Sequence, residues 1–487
     1  MEVKLPTLKK VNPNKVKKKK ILLLSDDLRL FSGIGTMSRA IVMGSMHKYD
    51  WAQIGGAVNH PDNGKIFDMS KDAAKESGVE DAYCKIYPVN GYGNQVLLRQ
   101  IIAIEKPDII MHFTDPRFWD WLYEMAHEIR QEMPLIYLNI WDDLPYPHWN
   151  ENAYESCDLL MAISKQTYNI NKNVCQRKPR TDWDLTYVQH GICKETHKPL
   201  SESILTPVKK ELFRNKEYDF VALYNSRNIR RKSTSDLMLA YRIFCDNLTK
   251  EQADRCLLLL HTNEVDDAGT NLPEVRDRLC GGHNVLFSPQ KIDSEKLNML
   301  YNIADITCQP SSAEGFGLSV MESIMSGTMI LGTAIGGIQD QMGFVKDDGT
   351  PVLLEDFTTD WPSNSNMRYT ECGEWALPVW PQINLQGSPA TPYIYDSRPN
   401  IKDIASRLME AYKLGRDERK RRGKVGREWA ISNGFDRIGM CKAFVDSVEG
   451  CLENWKPIQR WTMIDTSKPK PNYPDGIIFD TLIGETT

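Results

Sequence analysis

The sequence is short of most features that would mark a secreted, membrane-spanning or metal-framed protein. It has no apolar run near the length needed to cross a bilayer. Its amino end has no apolar leader core, which makes a cytoplasmic chain the expectation. The 11 cysteines include no Cys-x-x-Cys pair, and no Cys or His spacing suits zinc. Scattered, odd-numbered cysteines fit free thiols in a reducing compartment better than a disulfide frame. Charge excess is slight: 60 Lys and Arg against 65 Asp and Glu leave -5. That balance does not favour a dedicated nucleic-acid binder. There is no internal repeat. The third glycine of a dinucleotide fingerprint is also missing. Ser32-Gly33-Ile34-Gly35 follows the first apolar run, but position 38 is Ser, which argues against a nicotinamide or flavin enzyme.

What is present alternates. Ile21–Leu24 reads as a buried strand, and similar runs recur at Trp51–Gly55, Asp108–His112, Leu135–Ile140, Leu159–Ile163 and Thr186–Gln189. Helical stretches such as Trp119–Glu132 lie between them. The rhythm restarts with Phe220–Tyr224, Leu257–His261, Val285–Ser288, Ile306–Gln309 and Met329–Gly332. Strands alternating with helices predict two α/β domains with doubly wound parallel sheets. Ligands would bind in the cleft between the carboxyl ends of their strands. The predicted layout is a lysine-rich arm over 1–20 and a first domain over 21–203. A second domain spans 204–440, with an irregular excursion at 350–398 rich in Pro, Trp, Tyr, Asn and Ser. A helix and extended tail over 441–487 are placed to pack back on the first domain. Trp361, Trp375 and Trp380 in the excursion suit ring stacking with a ligand, a satellite core or a dimer contact. The basic cluster from Lys413 to Arg427 reads as solvated helix faces.

The most informative stretch is Gln309-Pro310-Ser311-Ser312-Ala313-Glu314-Gly315-Phe316-Gly317-Leu318-Ser319-Val320-Met321-Glu322. A helix beginning near Gly317 would turn its free N–H groups toward the Gly315–Gly317 loop, and such a terminus attracts phosphate. Glu314 precedes that terminus and Glu322 lies about one turn inside it. Acids so placed would hold hydroxyls on either side of a phosphate. After Phe220–Tyr224 comes Asn225-Ser226-Arg227-Asn228-Ile229-Arg230-Arg231-Lys232. Arg offers a planar fork to phosphate oxygens and Lys a mobile point charge. Gly336-Gly337 would let backbone approach closely.

Together these segments resemble the retaining glycosyltransferases of the GT-B fold, family 4 (group 1) especially. Glu314 and Glu322 match the Glu-x7-Glu motif. Arg227 and Lys232 match the Arg-x4-Lys pair on the donor diphosphate, with Ser226 and Ser233 where glycines are usual; Arg230 or Arg231 is a substitute phosphate ligand. Gly33 and Gly35 match the first glycine loop, and Gly336-Gly337 the pair behind the donor site. The resemblance implies a donor site of Gly33, Gly35, Arg227, Lys232, Glu314, Gly315, Phe316, Gly317, Leu318 and Glu322. Glu314, His112, Arg227 and Lys232 would carry catalysis, with His112 at a strand end near the transferred sugar. Asp115, Asp142 and Asp143 face the same cleft as acceptor contacts. His190 is a weaker neighbour of the cleft. Ser164 and Gly191 match architectural landmarks.

The implied reaction moves a sugar from a UDP- or GDP-sugar co-substrate to a hydroxyl with retention and without a metal ion. Asp182-Trp183-Asp184 precedes a strand at the end away from the cleft, and reads as a surface loop rather than a metal site. The acceptor stays open between glycan, lipid and small molecule, and the charge balance does not favour hydroxymethylated DNA. Oligomeric state is not legible. A nucleotide-sugar epimerase of this fold and a noncatalytic sugar-nucleotide binder are the rival readings. Product analysis with donor alone separates the first rival, and Glu314→Gln separates the second.

Overall fold

The computed structural model describes residues 17–175 and 180–459. Most of the lysine-rich arm (1–16) and the end of the tail (460–487) lie outside the described residues.

The first sheet is built from β1 (Lys19–Asp26), β2 (Tyr49–Ala57), β3 (Phe67–Asp68), β4 (Cys84–Asn90), β5 (Ile109–Phe113), β6 (Leu135–Asn139), β7 (Leu159–Ala162) and β8 (Leu185–Tyr187). Its order is β3-β4-β2-β1-β5-β6-β7-β8, parallel except where β3 meets β4. The second sheet comprises β9 (Phe220–Asn225), β10 (Cys256–His261), β11 (Val285–Phe287), β12 (Ile306–Gln309), β13 (Met329–Thr333) and β14 (Ala376–Val379). It is ordered β11-β10-β9-β12-β13-β14 and is parallel throughout.

The continuous apolar runs have a simple cause. Ile21 and Leu23 enter one core while Leu22 and Leu24 enter another on the opposite face. A strand covered on both faces needs apolar side chains at every position, not every second one. β9 does the same, with Phe220 and Ala222 on one side and Val221 and Leu223 on the other.

Some expectations need correction. The arm ends earlier than predicted, because β1 begins at Lys19. The excursion at 350–398 is not irregular throughout. It supplies β14, which pairs with β13, and an antiparallel hairpin of β15 (Pro381–Ser388) and β16 (Thr391–Pro399). Trp361 and Trp375 are buried, and Trp375 packs on Trp429 at 4.8 Å, so both rings are core. The helical stretch over 426–452 is broken around Gly434, whose φ is +74. Helix Arg416–Ser432 ends before it and helix Arg437–Asn454 begins after it.

That last helix lies against the first domain. Trp51 and Phe444 stack at 6.0 Å, and Tyr49 donates to Glu449 at 2.8 Å. All 11 cysteines are free thiols. No helix of the described residues is long and apolar enough to cross a membrane. The basic cluster is largely neutralised: Arg419 pairs with Asp305, Lys420 with Glu202, and Arg421 and Arg422 with Glu418.

Candidate functional site

In the second sheet β9 leads outward to β10 and β11 on one side, while β12 starts the other side. The loops after β9 and β12 therefore diverge and open a crevice at the carboxyl ends of the strands. The two motifs singled out by sequence occupy those two loops.

The loops are stitched together. Ser312 N–H donates to the carbonyl of Arg231 at 2.7 Å, and the Arg231 guanidinium donates to the carbonyl of Ala313 at 2.6 Å. Lys232 donates to Glu314 Oε1, which also accepts from Gln309 Nε2 at 3.0 Å and Ser311 Oγ at 2.9 Å. Arg231 lies 3.6 Å from Glu314 Oε2. Burial by itself would raise the Glu314 carboxyl. Lys232 and Arg231 outweigh it and hold the group below its ordinary value. Burial depresses the Lys232 amine despite the pull of Glu314.

Arg227 does not join this group. Its guanidinium pairs with Asp266 at 2.8 Å, and its side chain is 65% exposed. The cause is the path of the loop, which is tied to the segment after β10: Arg230 N–H donates to Ala268 at 3.0 Å. The cation beside Lys232 at the acid is Arg231. Ser233, where the resemblance expects glycine, adopts φ +52. A serine in the left-handed region costs about 1–2 kcal/mol, so this site keeps the glycine conformation without the glycine.

Gly317 caps helix Leu318–Met325 with φ +87, and Gln341 holds the Phe316 carbonyl at 2.6 Å. The helix end faces the first domain. A β-carbon at Gly33 would stand 3.4 Å from Leu318 Cδ1, and one at Gly315 would fall 2.9 Å from the carbonyl of Ile140. Two helix amino termini, Gly33–Ser45 and Leu318–Met325, thus meet across the cleft. Gly35 lies under its loop, its amide bonded to the Ser32 cap at 2.9 Å. Behind the Glu314 loop, the amide of Gly337 donates to the Glu314 carbonyl at 3.0 Å.

Glu322 accepts from Tyr301 at 2.7 Å, and Tyr301 accepts from Asn225 at 2.7 Å. Burial pushes the Glu322 carboxyl up to about 7, against the Tyr301 bond. On the opposite wall, Asp142 feels Arg231, Glu314 and Lys232, with burial raising it above its ordinary value. Asp143 is raised further by burial and by Asp142. Asp115 pairs with Arg117 at 2.5 Å.

His112 is not at the cleft surface. It is fully buried, stacked on Tyr137 at 4.7 Å, with Nδ1 2.6 Å from the Tyr123 hydroxyl. Burial lowers it to about 3, so its ring is neutral. It sits on the strand face that Trp119 and Tyr123 cover, one residue before β5 ends. His190 comes nearer the motif, with its ring 5.1 Å from Phe316. Asp184 is buried rather than exposed, and accepts from Thr181 N–H at 2.5 Å before β8.

Sequence reasoning missed Tyr301 and Asn225, which hold Glu322, and Gln309 and Ser311, which hold Glu314. The last two lie in the singled-out stretch, and a polar pair just before a buried acid was the available signal. It also missed the bonds between domains. Gln166 donates to the Asp142 carbonyl at 2.6 Å and accepts from Gly336 N–H at 3.2 Å. Asp340 accepts from Lys165 N–H at 2.8 Å. Among the described residues, no group of three or more His, Cys, Asp or Glu is gathered to hold a metal ion.

Two parallel domains meeting at their strand ends define the GT-B fold, and solved structures agree. The chain superposes on a glycosyltransferase from Rickettsia africae with TM-score 0.61 and 16% identity, covering 90% of this chain and 100% of that one. Sucrose-phosphate synthase from Thermosynechococcus elongatus gives 0.62 and 14%, covering 90% and 100%. Anabaena HepE, solved with UDP and glucose, gives 0.61 and 14%, covering 88% and 99%. In sequence, residues 209–355 match the family described as Glycosyl transferases group 1. D-inositol 3-phosphate glycosyltransferase of Nocardia farcinica is 29% identical over 119 residues, which is 23% of this chain and 26% of that protein. The match thus spans about a quarter of that curated relative.

Proposed function

We propose that this protein is a retaining glycosyltransferase that moves a hexosyl or pentosyl group from a UDP- or GDP-sugar to an acceptor hydroxyl, without a metal ion. The observation that carries the reading is the buried Glu314 held by Lys232 and Arg231 at the crevice between β9 and β12. The group 1 match over 209–355 covers both loops.

In this reading Lys232, Arg231 and the amides opening helix Leu318–Met325 take the diphosphate, where negative charge grows as the glycosidic bond breaks. Glu314 keeps both cations in place and receives hydroxyls of the donor sugar. Glu322 grips the ribose, with Tyr301 fixing its second oxygen. The acceptor oxygen bonds to the anomeric carbon from the face the diphosphate leaves, and its proton passes to the departing phosphate. No enzyme nucleophile is required. Arg227 reaches the phosphates only by leaving Asp266, and His112 acts only through the ring stack around it. The free thiols suit a cytoplasmic enzyme.

The test is a panel of nucleotide sugars incubated with the protein, followed for slow donor hydrolysis. Release of nucleoside diphosphate from one donor supports the assignment. Conversion of the donor to a new nucleotide sugar would instead make it an epimerase, and silence across the panel would leave a noncatalytic binder.

A further inference from the structure

The first domain carries an aromatic step that the donor chemistry leaves unused. Tyr92, in the loop after β4, stacks on Phe118, in the loop after β5, with centroids 5.2 Å apart and planes 16° apart. Trp119 backs Tyr92 at 5.4 Å and is fully buried, so the step is braced from behind. Phe118 itself is 53% exposed. The backbone makes room for the arrangement: a β-carbon at Gly56 would fall 2.8 Å from the Tyr92 ring. Gly91 and Gly93, at φ +64 and +82, turn the chain on either side of Tyr92.

Its position links it to the cleft. In the first sheet the strand order reverses between β1 and β5, so the loops after these strands open a second crevice. Gly33 follows β1 and Phe118 follows β5. Asp26 ends β1, and Asp115 lies three residues before Phe118. Burial first, then the charges of Asp26 and Asp115, raise the Tyr92 hydroxyl. Arg117, paired with Asp115, also feels Asp142 and Asp143. Its guanidinium lies over the ring of Trp141 at 5.4 Å, and Trp141 is next to Asp142 in the chain.

A flat apolar ring exposed between carboxylates suits a pyranose. The C–H face of the sugar covers the ring, and hydroxyls at its edge donate to the acids. Asp115 is already paired with Arg117, but Asp26, which accepts from the neutral Ser32 hydroxyl at 2.8 Å, disfavours a phosphorylated or polyanionic partner. We infer that the Tyr92–Phe118 step, flanked by Asp26 and Asp115, is the acceptor subsite, and that it takes the sugar ring of an uncharged glycoside. Calling this sugar an acceptor rests on the transferase reading; the binding of the sugar does not.

The experiment titrates the full chain with methyl glycosides of glucose, galactose, mannose and N-acetylglucosamine, read by tryptophan fluorescence and saturation-transfer NMR. Glucose 6-phosphate and a hydroxymethylated oligonucleotide are titrated alongside. At least one neutral glycoside should bind saturably. Phe118→Ala should weaken it about 3- to 10-fold, the worth of one aromatic contact, and Phe118→Tyr should restore it. Phe118 is exposed, so the alanine variant is expected to fold, and unchanged near-ultraviolet circular dichroism checks this. The inference is overturned if no neutral glycoside binds, if either anionic probe binds more tightly, or if Phe118→Ala changes nothing. No donor is present in this measurement. Its failure therefore leaves the donor panel standing, and a silent donor panel leaves this result standing.

Discussion

The amide of Gly337 donates to the carbonyl oxygen of Glu314 at 3.0 Å, and a β-carbon on Gly336 would collide with that same oxygen. The loop carrying Glu314 therefore rests on bare backbone. Gly336 also has φ +44, so alanine there adds strain to a clash. Gly336→Ala should cost about 2–4 kcal/mol of stability, read by chemical denaturation, with loss of donor turnover. Unchanged stability would contradict the contact.

The two arginines of the β9 loop make a direct contrast. Arg231 stands 3.6 Å from Glu314, whereas Arg227 is paired with Asp266. Arg231→Ala should lower donor turnover about 100-fold, the usual cost of losing one group that stabilises growing charge. Arg227→Ala should lower it far less. Steady-state kinetics of donor hydrolysis decide, and the reverse ranking would return the phosphate role to Arg227.

Glu322 gives a pH dependence. Its carboxyl is raised from 4.5 to about 7 by burial, so it is largely neutral at pH 6 and ionised at pH 8. An ionised carboxylate accepts from both ribose hydroxyls, so UDP or GDP should bind more tightly as pH rises through 7. Glu322→Gln should flatten that rise in calorimetric titrations. An equal rise in the variant would place the titrating group elsewhere.

Asp340 gives a second pH dependence, in stability. It accepts from Lys165 N–H across the domains and from Tyr187 at 3.2 Å, while Oδ1 is buried without a partner. Burial raises it from 3.8 to about 6. The folded state thus holds its proton more tightly than the unfolded chain, and the stability this contributes is lost as pH rises from about 4 to about 6. Asp340→Asn mimics the protonated form. It should be about 1–3 kcal/mol more stable than the parent at pH 8 and nearly equal at pH 4. Equal stability at both pH values would refute the assignment.

Much of the fold is legible in the sequence for the reason seen at β1: strands buried on both faces read as unbroken apolar runs. β14 escapes because Ala376–Val379 is short, contains a proline and sits among polar and aromatic residues. The hairpin of β15 and β16 escapes because its first strand is exposed along most of its length. It is held by the other domain instead, through Tyr395 N–H to the Leu144 carbonyl at 2.6 Å and the Tyr393 ring against Trp149 at 4.6 Å. No local pattern records such contacts.

At the site, local motifs and the family resemblance they carry selected Glu314, Lys232 and the glycine loops, because helix termini, tight turns and charged ends have short-range signatures. Local sequence likewise set the helix start at Gly317 and the strand end at Gln309, and placed the end of β9 one residue early, at Tyr224. The choice between Arg227 and Arg231 belonged to the tertiary structure, since the β9 loop is steered by Asp266 and Ala268, far along the chain. So did the burial of His112, which follows from rings that other elements bring over one face of β5. The meeting of Gly33 with Leu318 and of Gly315 with Ile140 arises only when two separately legible domains face each other. Which residues form each wall was written locally. Which atoms meet across the cleft depends on long-range packing, which has no period to read.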